Sequence, residues 1–556
     1  MKIFYLFLLV FCQSIFLIAQ VENVPQTNPV YIFLKEMKVK GIIHYYNEDV
    51  PNLSRIEVQN LLRLIDINKN ELNSIELATL SRYQQEFSET LNKDTTQSFF
   101  NGENIFKNLT EIFSNKVKYL YAFKEENATV YFDLLGHFNF GQMFNPLKNN
   151  AELYDIGFRW RGTVFNHLAY NLTVIKGGVS GNKSIAETLE PRLHTSFKWI
   201  ENIENIGNYD FTEGYVKYRT EPVENMDLSV QVGREALNIG YGYGNKLVLN
   251  GKNPMLDFIQ FNFNYGIAHF TSIHASTVGE FSRNQDDRYT KYWAFNRLRL
   301  AFPNLFDIGI GESIVYSGRG IEIAYLSPMG FYKFIEMSLQ DRDNGNLYFD
   351  FRSDFLKDFE VQATFLLDEN ILSNLQNFDR YSNKTAYQIG FMWYKAFTLP
   401  NLSFTAEYTK IRPYVYSHIN NKNTYTAFGM PLGHPIGPNA DELLARLNYN
   451  INEYTRLSLD YRHIRKGENV YDANGNLIKN VGGDIYIPND PNPADKNAYF
   501  LDGTRINYDI LKTGIRIEPV RAFIFELYYH YILTSNLTED SHHNQNYLQF
   551  IFTLEY

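Results

Sequence analysis

Apolar and polar residues alternate with a period of two along most of this chain. In the stretch from Asp227 to Tyr265, Leu228, Val230 and Val232 alternate with Ser229, Gln231 and Gly233, and Ile259, Phe261, Phe263 and Tyr265 with Gln260, Asn262 and Asn264. Successive side chains on a strand point to opposite faces, so each segment predicts a strand with one apolar and one polar face. The pattern returns where Leu402, Phe404, Ala406 and Tyr408 oppose Ser403, Thr405, Glu407 and Thr409. It returns again at the end, where Leu548, Phe550, Phe552, Leu554 and Tyr556 share a face. Phe523, Phe525, Leu527, Tyr529 and Tyr531 also share one, although Ile524 and Tyr528 blur the other side. A single strand of this kind suits a soluble sheet as well. The repetition, with Glu407, Asp460 and Arg462 on the polar side, points to a transmembrane barrel with a wet lumen rather than a sandwich with a dry interior.

Tight turns are predicted at Glu221-Pro222, Tyr265-Gly266, Pro303-Asn304, Leu356 to Asp358, Pro400-Asn401, Asn450 to Asn452 and Glu518-Pro519. Between the hairpins lie long polar segments at 237–254, 279–289, 316–344, 369–383, 413–440, 466–507 and 534–544. Short turns on one side and long loops on the other are the pattern of an outer-membrane barrel, with the loops outside the cell. The expected fold is an all-β transmembrane barrel over residues 117–556, with about 18 antiparallel strands and roughly 16 to 20 within range. The region 117–208 accommodates three to five of them.

Residues 21–116 follow a different period. Val30, Phe33, Leu34 and Met37 lie on one helical face, and Ser54 with Glu57 forms a capping box ahead of Val58, Leu61, Leu62 and Ile65. Asn73 with Glu76 repeats the device before Leu80, Tyr83, Phe87 and Leu91. These features predict a small periplasmic helical domain, either self-contained or docked on the periplasmic end of the barrel. Ahead of it, Lys2, the apolar run Ile3 to Val10 and a cleavage point near Ala19-Gln20 make residues 1–20 a secretory signal peptide. Cys12, the one cysteine, falls inside that segment, so the mature chain is expected to have no thiol or disulfide chemistry.

Composition narrows the function. A mean hydropathy of −0.33 excludes a bundle of membrane helices, whereas a barrel needs only alternate residues to be apolar. The formal charge of −10 argues against nucleic-acid binding. No motif assembles a nucleophile, base and orienting group, so no enzyme, cofactor or metal is expected. Asp472 to Asn476 reads as a turn, His542-His543 as solvated, and Asp341-Arg342-Asp343 as a salt-bridge group.

Two loops carry candidate binding chemistry. Tyr241 and Tyr243 are interleaved with Gly240, Gly242 and Gly244, which allow sharp turns, while the tyrosines offer flat faces with polar tips suited to sugar rings. In the second loop Arg412 supplies a fork for carboxylate or phosphate, and Tyr414 and Tyr416 add stacking surface. The alternative for both loops is structural, as part of an interface girdle or a fold over the barrel mouth.

The N-terminal helical block, Gly233-Arg234 followed by Gly240 to Gly244, and Arg412 to Tyr414 with the Pro431 to Asn439 loop resemble the Wzi-type capsule-assembly outer-membrane proteins. The resemblance is closer to the Bacteroidetes branch that includes the gliding-motility protein RemB. It implies a closed barrel of about eighteen strands with a helical bundle at its periplasmic side. It also implies organisation or anchoring of extracellular polysaccharide, with outer-membrane lipid and other surface or motility proteins as further partners. A gliding-motility surface protein and a diffusion channel are the alternatives.

Overall fold

The period-two segments become the staves of one closed antiparallel barrel of 18 strands. The computed structural model describes residues 20–50, 52–88, 91, 93–100, 110–196, 207–368, 377, 379–490 and 496–556; apart from Gln20 the expected signal peptide lies outside them. In chain order the barrel strands are β1 (Ala128–Asn145), β2 (Asn149–Val164), β3 (Leu168–Gly181), β4 (Asn208–Thr220), β5 (Met226–Glu235) and β6 (Leu256–Tyr265). Next come β7 (Ala268–Val278), β8 (Thr290–Phe302), β9 (Phe306–Ser317), β10 (Asn344–Ser353), β11 (Phe359–Leu367) and β12 (Thr385–Tyr394). The last six are β13 (Leu402–Ile411), β14 (Ala440–Asn452), β15 (Thr455–Glu468), β16 (Thr504–Val520), β17 (Phe523–Asn536) and β18 (Ser541–Glu555). Each pairs with its chain neighbours, and β18 returns to β1, placing Phe550 opposite Phe140 and Phe552 opposite Phe138.

The register sorts the faces as the alternation predicts. Ile259, Phe261 and Phe263 lie opposite Val232, Val230 and Leu228 on the outer face, and Gln260 opposite Gln231 on the inner. Tyr528, on the blurred face of β17, points inward, where its hydroxyl donates to Glu526 at 2.8 Å. Three boundaries differ from expectation: Asn450 to Asn452 belongs to β14, and the chain reverses after it at Glu453-Tyr454. Glu518-Pro519 lies within β16 and the chain reverses at Arg521-Ala522, after a register shift between Ile517 and Val520. The segment 534–544 is no long loop, because its polar residues extend β17 and β18 beyond the apolar band and pair across a short turn.

Ahead of the barrel stand three helices, α1 (Val30–Val39), α2 (Arg55–Ile67) and α3 (Ser74–Glu86), the latter two opened by the expected capping boxes. Their apolar stripes form a core that also takes in Met392 and Tyr394 of β12. The block therefore sits inside the end of the barrel that carries the short turns. Two further short helices, α4 (Lys183–Leu189) and α5 (Tyr332–Ser338), lie in the long loops.

Towards the other end the lumen is dry on one side. Phe258, Ile273, Trp293, Phe295, Val315 and Leu366 point inward and pack on Leu237, Ile239, Leu247, Val248, Tyr416, Tyr425 and Leu432 from loops 236–255 and 412–439. The lumen, expected to be wet, is therefore partly dry. The inner face of β8 changes from Trp293 and Phe295 to Arg297 and Arg299, because its upper half meets infolded loops and its lower half meets the charged helical block.

Candidate functional site

The helical block is tied to the inner wall by charge. Asp49 bridges Arg297 and Arg299, and Arg299 also donates to Asn47 Oδ1 at 2.6 Å and to the Tyr45 hydroxyl. Glu48 lies between Lys35 and Lys38 of α1 and faces Arg352, 3.7 Å away. Burial alone would raise the Glu48 carboxyl, but Lys35, Lys38 and Arg352 outweigh it and hold the group well below the usual carboxylate range. Burial lowers Lys38 to about 8. Similar ties run round the rim: Glu57 to Arg219 at 3.1 Å, Glu36 to Arg456 at 2.8 Å, and Arg82 to Glu518.

Loop 236–255 comes down from the opposite end to meet this block. The amide of Gly240 donates to Asp49 O at 3.0 Å, those of Gly242 and Gly244 to Gln362 and Glu407 at 3.0 Å. Gly240 and Gly242 have φ of +107° and +139°, which only glycine adopts without strain, so the inward descent depends on them. Tyr241 is therefore not at the mouth. Its ring is buried, Arg297 lies over it at 5.4 Å, and its hydroxyl donates to Asp307 at 3.2 Å. Tyr243 donates to Glu360 at 2.8 Å and borders a lumenal cavity of about 510 Å³, shared with Lys246, Arg446, Arg456, Asp460, Lys512 and Tyr528. Burial pushes the hydroxyls of Tyr241 and Tyr243 well above their ordinary pKa.

The second candidate loop divides. Tyr416 is fully buried; it donates to Leu247 O at 2.7 Å and stacks on Tyr425 at 5.3 Å, locking loop 412–439 onto loop 236–255. Tyr414, two residues earlier, is only 7% exposed and packs against the outer loops, its hydroxyl donating to Asn480 O at 3.1 Å. It lines a cleft of about 270 Å³ with Tyr381, Lys479, Asn497, Tyr499 and Asp502. Arg412, its side chain 12% exposed, donates to Asn383 O at 3.2 Å and lies 3.9 Å from Asp379. Of the five candidates, then, Arg412 and Tyr414 lie with the outer loops, Tyr243 opens on the lumen, and Tyr241 and Tyr416 are internal. Tyr381, Lys479 and Tyr499 were not singled out by sequence; the signal was the aromatic and amide content of segments 369–383 and 466–507.

The weaker motifs make local polar contacts. Asp472 accepts from the amides of Asn474 and Asn476 in a tight turn, and Asp343 pairs with Arg319 at 2.9 Å. His542 meets Ser535 Oγ at 2.9 Å across the β17–β18 hairpin. Among the described residues no cluster of His, Cys, Asp or Glu could hold a metal ion.

Comparison with known proteins follows from this architecture. The profile of the family described as capsule assembly protein Wzi matches residues 117–520. Among solved structures the chain is similar to Wzi of Escherichia coli, described as an outer-membrane protein involved in group 1 capsule assembly and a carbohydrate-binding β-barrel. That match has a TM-score of 0.56 at 12% identity and covers 97% of this chain and 99% of that one. It is also similar to OprD of Pseudomonas aeruginosa, with a TM-score of 0.43 at 10% identity, covering 77% of this chain and 93% of that one. Comparison with curated proteins by sequence gives no match. With a family profile spanning most of its length and a closed barrel of 18 strands, the chain belongs to the Wzi family of capsule-assembly outer-membrane proteins.

Proposed function

We propose that this protein organises or anchors polysaccharide at the cell surface, holding the glycan with its outer loops and performing no chemistry on it. The observation that carries the reading is the outer cleft, where Tyr381, Tyr414 and Tyr499 stand among Lys479, Asn480, Asn497 and Asp502. Aromatic faces beside amides and charges suit a sugar, apolar on one side and hydroxylated at its edge. A polymer needs only weak contacts at each cleft, because linked sites reinforce one another. The likeness to E. coli Wzi, a carbohydrate-binding barrel, supports the same reading. Arg412, beside the cleft, adds attraction to an acidic glycan, while Tyr243 is placed for any part of the ligand that reaches the lumen.

Surface polysaccharide per folded molecule is the test, measured on cells carrying Tyr414→Ala with Tyr499→Ala, Arg412→Ala, or Tyr241→Ala with Tyr243→Ala. The outer pair should release glycan without loss of folded barrel, and the Arg412 effect alone should shrink with salt. Unchanged retention in all three would sink the reading. A diffusion channel is disfavoured by a lumen filled from both ends, and large steady currents from the intact protein in planar bilayers would restore it. A gliding-motility role is the second reading, favoured by a resemblance that is closer to the branch including RemB; a deletion strain that stops spreading but keeps its glycan would select it.

A further inference from the structure

The connection between β9 and β10, residues 318–343, folds back onto the outside of the barrel. Its Tyr325 and Tyr332 are buried against Ala294, Ile314 and Tyr316. By register these wall residues share the outer face with Leu298 and Ile310, which are exposed there. What the loop covers is a polar notch. Counting up from Phe302 and Phe306, the outward pairs of β8 and β9 are Leu300–Ile308, Leu298–Ile310, Asn296–Glu312 and Ala294–Ile314, with Ser272 of β7 beside Asn296. At about 3.4 Å per residue and a tilt near 40°, each successive pair rises about 5 Å, so an apolar band about 25 Å tall spans roughly five pairs. The Asn296–Glu312 pair is fourth from the bottom and so falls within the band.

The loop satisfies those polar groups. The Tyr332 amide donates to Glu312 at 2.8 Å, and Asn296 donates to Ser327 O and Gly330 O at 3.3 and 3.2 Å. Gly345 at the start of β10 permits the close approach, since a Cβ there would lie 2.9 Å from Glu336 Oε2. The other side of the loop is apolar and exposed: Ile323, Met329, Phe331, Phe334 and Met337 are 58 to 88% accessible. Its charges are paired within the loop, Lys333 with Glu336 at 2.8 Å and Arg319 with Asp343 at 2.9 Å.

We propose that residues 318–343 are a lipid-binding insert, replacing a polar notch in the barrel wall with an apolar surface that contacts the acyl chains of the outer leaflet. Lipid is the occupant because this surface adjoins, on the same wall, the outward belt of Leu298, Ile310 and Phe349, which already faces the bilayer. An exposed apolar patch of this size facing water would instead be an aggregation liability. The inference is independent of the glycan reading.

The full chain in phosphatidylcholine vesicles tests it, using Phe334→Cys labelled with a polarity-sensitive dye; the other cysteine, Cys12, lies in the expected signal peptide. Emission should be blue-shifted and quenched by acyl-brominated lipid, as at a labelled Ile310→Cys, and protected from aqueous iodide, unlike a labelled Asn474→Cys. A label quenched by iodide and not by lipid overturns the proposal, and so does a label shielded from both, which would indicate a protein cover. Wild-type protein in vesicles carrying a diazirine acyl chain provides a check free of substitution: cross-links should map to 318–343, and their absence there overturns it equally.

Discussion

Asp49→Asn removes the one charge through which the helical block neutralises two buried arginines. The side chains of Asp49, Arg297 and Arg299 are 1%, 3% and 1% exposed, so water cannot take over the pairing. Removing one partner of a buried pair costs about 3–5 kcal/mol. Arg297 keeps Asp350 at 2.8 Å, and Arg299 keeps Asn47 and a distant Asp307 at 3.9 Å, which places the loss at the lower end, about 3 kcal/mol. With tenfold for each 1.4 kcal/mol, the block should leave the wall about 150-fold more often. Hydrogen exchange of the α1 amides in the intact, lipid-embedded protein measures that opening. Asp66→Asn is the control, because its pair with Lys69 is 3.8 Å long and about half exposed, and such pairs contribute about 0–1 kcal/mol. Equal α1 exchange in wild type and Asp49→Asn would refute the view that charge holds the block in place.

Two further outcomes concern the infolded loops. Burial lowers the His434 imidazole from its ordinary 6.5 to about 3, and nearby Glu442 does not reverse this because it is taken up by Arg462 at 3.2 Å. The neutral form is the folded one, so its contribution is complete above pH 6.5 and is lost as pH falls towards 3; at pH 4.5 the loss is about 2–3 kcal/mol, read as proteolysis of loop 412–439 that His434→Gln makes independent of pH. Gly433→Ala would set a Cβ 2.5 Å from the Tyr416 hydroxyl and 2.6 Å from Leu247 O, so the contact between the two loops should weaken by about 1–3 kcal/mol, seen as a lower melting temperature for the upper lumen.

The strands were legible because most of the barrel wall meets one constant environment, lipid, on its outer face. Leu228, Val230 and Val232 needed no partner loop to be read as outward. The lumenal face obeys no such constant environment. Trp293 and Phe295 are inward because loops 236–255 and 412–439 descend on them, and only a tertiary arrangement makes that choice. The same descent explains Tyr241 and Tyr416: glycine-interleaved tyrosines signal a loop with sharp turns, but the destination is set by Leu237, Ile239, Leu247, Val248 and Leu249, an apolar run that requires a core. The insert at 318–343 was hidden for a related reason, since Asn296 and Glu312 look like an interruption of the strand pattern until their cover is seen.

The seam between β1 and β18 joins residues 410 apart, as where Gln549 donates to Asn139. Every other pairing in the wall joins neighbours in the chain, so the entropy of ring closure is concentrated in this single step. For a free loop of that length it is about 5 kcal/mol, scaling as the logarithm of length. If the helical block docks before the seam forms it shortens the loop, since it grips strands on both sides: Arg55 lies over the Tyr131 ring of β1 at 5.6 Å, and Arg82 holds Glu518 and accepts Arg521 through its carbonyl at 2.6 Å. With those contacts made, the remaining loop is on the order of 70 residues and the closure penalty falls by about 1.5 kcal/mol. The segment that stops the barrel is thus also a mandrel on which its first and last staves are brought together.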